Sequence, residues 1–81
     1  NKEFIMTWEY RVIRHLEAMP GGKIVDWLTI HRVYYDGDRI SSWETTVSVP
    51  GGESLDELME CFILMRLAMQ KPVLRAEDMP K

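Results

Sequence analysis

A chain of 81 residues has room for one hydrophobic core and no second domain, and so small a core leaves a thin margin over chain entropy that self-association can widen. Its 46% hydrophobic and 28% charged residues exclude a disordered polymer, while a net charge of −3 with scattered Lys and Arg excludes the counterion-displacing surface of non-specific nucleic-acid binders. Cys61 is the single cysteine, which excludes an intrachain disulfide and a multi-thiolate metal site, points to a reducing, cytoplasmic location and leaves an intermolecular disulfide open.

Met6 reads as a start, and residues 1–5 are expected to be a flexible end that lacks the ordered parts of a secretory leader. From Met6 to Leu16, Met6, Trp8, Tyr10, Val12 and Leu16 alternate with Thr7, Glu9, Arg11 and His15, the period of a strand. Ile13 breaks the polar face, and Glu17 to Met19 prolong the strand or begin a loop before Pro20-Gly21-Gly22 forces a turn.

A second strand is expected from Ile24 to Tyr35, with Ile24, Leu28, Ile30 and Tyr34 on one face and Val25, Trp27, His31, Val33 and Tyr35 on the other. Neither face is polar enough for open water, so both should be at least partly covered. Asp36-Gly37-Asp38 is a strong hairpin signal. A third strand follows from Arg39 to about Val49, with Trp43, Thr45, Val47 and Val49 alternating with Ser42, Glu44, Thr46 and Ser48 until Pro50-Gly51-Gly52 ends it.

Ser54 and Glu57 have the spacing of a capping box and start a helix that Pro72 stops. Leu55, Leu58, Phe62, Met65 and Met69 form the stripe expected to pack on the sheet. Cys61 and Leu64 lie beside it, and Ile63 and Leu67 farther round, more apolar directions than one sheet can bury. The longest apolar run, Cys61 to Met65, is too short to cross a bilayer, so no membrane partner is expected. Val73 and Leu74 should dock and residues 75–81 form a second flexible end. The expectation is one α+β domain over 6–74: a three-stranded antiparallel meander with one C-terminal amphipathic helix packed on it and an extended tail.

No phosphate-binding loop, dinucleotide fingerprint, nucleophile elbow, zincin helix or calcium loop occurs, and the paired glycines read as turns. His15, His31 and Cys61 could supply a ligand set or a base and nucleophile. None has a second ligand at a recognisable spacing, so no catalytic set, metal or cofactor is expected, His31 reads as a hydrogen-bonded, partly buried histidine, and Cys61 as a small buried hydrophobe. Trp8, Tyr10, Trp27, Tyr34, Tyr35 and Trp43 are assigned to core and interface packing, because the basic surround of a base-stacking platform is missing.

The segments WEYRVIRH (8–15), TIHRVYYDGD (29–38), SSW (41–43), GGESLDEL (51–58) and KPVL (71–74) resemble a group of small bacterial proteins, some of the kind carried on phage or integron cassettes. That resemblance implies β-β-β-α order and no particular activity. Strand order and the start Gly52-Glu53-Ser54-Leu55-Asp56-Glu57 are also similar to HicB-like antitoxins, although the Pro-Asp-hydrophobic-Pro-Gly stretch of that family is absent; the likeness implies binding of a partner protein. Three functions follow as expectations: a non-enzymatic interaction module acting as a homodimer through Trp27, His31, Tyr35, Ile63, Leu64 and Leu67; an antitoxin-like regulatory domain; or a small ligand-binding domain or enzyme using His31, His15 or Cys61.

Overall fold

A computed structural model describes residues 6–81, so the expectation of a flexible end over 1–5 lies outside the described residues. The chain is α+β, with strands β1 (Met6–Ala18), β2 (Ile24–Asp36) and β3 (Arg39–Trp43), helix α1 (Leu55–Ala68), strand β4 (Leu74–Arg75) and a 3₁₀ turn over Ala76–Asp78. The three-stranded antiparallel meander is present, but the sheet is four-stranded and mixed: β4 pairs parallel with β1, giving the order β3-β2-β1-β4. The tail adds this strand because Leu74 reaches the otherwise open edge of β1 opposite Ile13.

β1 and β2 pair over their whole lengths, from Met6 against Asp36 to Ala18 against Ile24. Gly37 takes φ +62° at the first position of the two-residue turn between Asp36 and Arg39, the backbone of a II′ hairpin that other residues adopt at a cost. A bulge at Ser41 then brings Ile40 and Trp43 to the same side of the sheet, although their spacing would separate them in a regular strand.

β3 ends at Trp43, short of the expected Val49. Glu44 still donates its N–H to Arg32 and Ser48 donates to Ile30. In a regular antiparallel ladder, donors to carbonyls two positions apart are themselves two apart, with one residue between them; here three residues, Thr45, Thr46 and Val47, stand opposite His31 alone and loop out. Val47 and Val49 are therefore exposed instead of forming an apolar strand face.

The helix begins where expected: Ser54 Oγ accepts the Glu57 N–H at 3.2 Å. The Glu57 carboxylate turns back one residue farther, to the Glu53 N–H. The buried line of α1 differs from the expected stripe. Met65 and Ala68 are buried and Leu58 and Cys61 half-buried, whereas Leu55, Phe62 and Met69 stay exposed. The helix is rotated toward its smaller residues because Ala68 and Cys61 let it sit close on Tyr10 and Val12.

The sheet has a core on each face. On one, Tyr10, Val12, Met65 and Ala68 pack together with Ile30 and Cys61. On the other, Ile13, Val33 and Met79 pack with Tyr35, Ile40, Trp43 and Leu74. Ile13, the residue that broke the polar pattern of β1, is 0% exposed. Its cover is the stretch 75–81, read from sequence as a flexible end: Met79 is 7% exposed, and Trp43 Nε1 donates to the Pro80 carbonyl at 2.9 Å.

Strands of 13 residues span roughly 44 Å, while a helix of 14 residues spans roughly 21 Å. The helix and tail cover only the half of the hairpin nearer the Gly37 turn. Residues 15–18 and 24–28 continue as a two-stranded arm without a third strand on either side. The radius of gyration, 14.8 Å, reflects this elongation; a compact domain of this length has about 12 Å.

Candidate functional site

The polar groups singled out from the sequence fall into separate places. His31, on β2, is 3% exposed, and its Nδ1 lies 2.9 Å from the Glu44 carbonyl oxygen. A carbonyl only accepts, so the network assigns the proton to Nδ1 and leaves Nε2 to accept from Thr29 Oγ1 at 2.7 Å. Thr29 Oγ1 then accepts from His15 Nε2 at 3.2 Å. His31 thus fills the gap opened by the 45–47 bulge, supplying a donor that the interrupted ladder lacks, and its ring stands edge-on to Trp43 at 5.3 Å.

A hydroxyl bonded to an imidazole has the outline of a nucleophile and base. Here the base is enclosed and its second nitrogen is committed to holding β3, which makes the string a structural element. Cys61 lies on the opposite face of the sheet, its sulfur 3.6 Å from Tyr10 Oη, so it does not converge with the histidines. Burial, followed by that contact, raises the Tyr10 phenol above its ordinary range. Among the described residues no three His, Cys, Asp or Glu side chains gather as a metal site.

A second polar group pins the path from helix to tail. Glu9 accepts from Lys71 and from Tyr35 Oη at 2.6 Å, while Arg11 donates to Tyr35 Oη at 3.0 Å and to the Pro72 carbonyl at 2.8 Å. Partial burial pushes the Glu9 carboxyl up, but the bonds from Lys71 and Tyr35 and the charges of Lys71 and Arg11 prevail and hold it below the usual carboxylate value. Burial and the Glu9 bond raise the Tyr35 phenol. These contacts let the chain round the edge of β1 and place β4 beside it.

The feature not consumed by folding is an apolar groove. It has a volume of about 710 Å³ and lies between α1 and the root of the arm, walled by Phe62, Met65 and Met69 on the helix and by Leu28, Ile30 and Val47 opposite, with Arg66 at its rim. A smaller hollow of about 330 Å³ continues it past Val12 and Val73. The same face then runs out along the arm through Leu28, Leu16 and Ile24, which are 55, 71 and 65% exposed. Residues Arg14 and Asp26, whose charged atoms are 4.0 Å apart, interrupt it. On the far side of the helix, Leu64 and Leu67 border a smaller hollow of about 200 Å³ with Trp8 and Tyr10.

The six residues expected to form one contact surface do not share one. Ile63, Leu64 and Leu67 are exposed on α1, while Trp27, His31 and Tyr35 alternate onto the sheet face opposite the helix. Trp27 is accessible and also reaches the groove wall. His31 is sealed in the β3 bulge, and Tyr35 is half-buried with its hydroxyl engaged by Glu9 and Arg11. The exposed arm residues Leu16, Ile24 and Leu28 were absent from that set. The available signal was a mismatch of lengths: two long strand patterns joined by Pro20-Gly21-Gly22 and only one short helix to cover them. No protein-family model, curated protein or solved structure matches the chain.

Proposed function

We propose that this chain is a self-associating protein-interaction module, a homodimer whose work is contact between chains rather than chemistry. The observation that carries the reading is the two-stranded arm, whose large apolar side chains Leu16, Ile24, Trp27 and Leu28 are all exposed. An isolated hairpin is marginal in water, and large apolar side chains exposed together on so short an arm mark a contact site. Two-fold self-association is the commonest way for a small domain to cover such a surface. The commitment of the His31 string and the Glu9 cluster to fold closure supports a role without catalysis.

Sedimentation velocity between low and high micromolar concentration tests this directly. The expected result is a concentration-dependent species of twice the 9.5 kDa chain mass. A strict monomer throughout that range would remove the reading.

A further inference from the structure

Resting on that reading, we infer that the groove between α1 and the arm is filled by the arm of a second copy, reciprocally across a two-fold axis, with Asp26 of each arm paired to Arg66 of the other copy. Leu28 belongs both to the groove wall and to the arm, so the groove and the arm residues Leu16 and Ile24 share one face of the sheet, crossed by the Arg14–Asp26 pair. A two-fold axis near Leu28 sets each arm's Leu16 and Ile24 over the other copy's Phe62 and Met69. Such an isologous contact uses one patch twice and closes as a dimer, with no leftover patch to propagate.

Charge fits this occupant. Arg66 stands at the rim of the groove and takes part in none of the ion pairs among the described residues. Asp26, the acidic residue on the same face of the arm, is 59% exposed and only loosely held by Arg14. Each copy therefore offers one acid on its arm and one base on its groove, the complement a second copy requires.

The charges provide a test that folding defects cannot imitate. Asp26→Arg gives a homodimer with two Arg-Arg contacts, and Arg66→Asp gives one with two Asp-Asp contacts, whereas the mixed heterodimer restores an opposite pair at both positions. Each variant alone should dimerise at least about tenfold more weakly than the parent, since like charges facing across an interface cost several kcal/mol. An equimolar mixture, titrated by sedimentation or by energy transfer between differently labelled copies, should return to within about threefold of the parent. Far-UV circular dichroism checks that each variant folds.

Dimers of unchanged strength in both variants, or weakened variants whose mixture does not recover, would overturn the arm-in-groove contact while leaving self-association standing. A parent chain that is monomeric at all concentrations would overturn both.

Discussion

Replacing His31 by Ala removes several interactions at once, and its cost can be worked out from the contacts. The bond to the Glu44 carbonyl and the bond to Thr29 Oγ1 are lost, at about 1 kcal/mol each. The edge-on contact with Trp43 adds about 0.5–1.5 kcal/mol. A cavity the size of an imidazole remains beside Trp43, and of the side-chain ties from β2 to Glu44 the exposed bond from Tyr34 Oη to its carboxylate is left. The sum is about 3–4 kcal/mol, a large part of the 5–15 kcal/mol that holds a small domain together. For a chain of this length it lowers Tm by about 15–25 °C. Urea unfolding followed by tryptophan fluorescence at one fixed protein concentration measures the loss, with Trp43 as a local reporter. His31→Phe keeps a ring against Trp43 but cannot donate to Glu44, so it should recover only part of the difference. If both variants lie within about 1 kcal/mol of the parent, His31 does not hold the bulge and the assignment of its Nδ1 proton loses its basis.

Met79→Ala should destabilise by about 2–4 kcal/mol in the same assay, as expected for deleting a buried Met side chain, whereas a loose tail predicts no change. Glu9, with its carboxyl held below the usual 4.5, favours the folded state above that value, and the contribution disappears as pH falls through the lower folded value. Glu9→Gln should therefore flatten stability between pH 5 and the acid transition, measured by urea titrations at stepped pH. Ser54→Ala removes the oxygen that accepts the Glu57 N–H and should cost about 1 kcal/mol in thermal unfolding.

The elements were legible because their local signals agree with their surroundings. Alternation in 6–16, the Asp36-Gly37 turn and the Ser54 cap each describe a short stretch of chain whose geometry is decided nearby. What covers each face was not local. Ile13 looked like a defect in a polar face, yet it is the centre of a second core completed by Met79, a contact that no window along the sequence contains. The same holds for the buried side of α1, where Ala68 and Cys61 displaced Phe62 and Met69. Hydrophobicity favoured the larger residues; close approach to Tyr10 and Val12 favoured the smaller. The place of His31 was hidden for a related reason, since it is occupied by a bulge whose extra residues look like ordinary strand alternation.

Pairing β4 with β1 joins residue 13 to residue 74, across 61 positions of chain. Closing so long a loop is entropically expensive and brings little contact area until Met79 seats, so this step belongs late in folding. The hairpin and helix can assemble first on one side of the sheet, leaving Ile13 and Val33 briefly wet on the other. In the finished molecule the same segment is the natural first place to open, and native-state hydrogen exchange should find the β4 amides released before those of the hairpin near Tyr10.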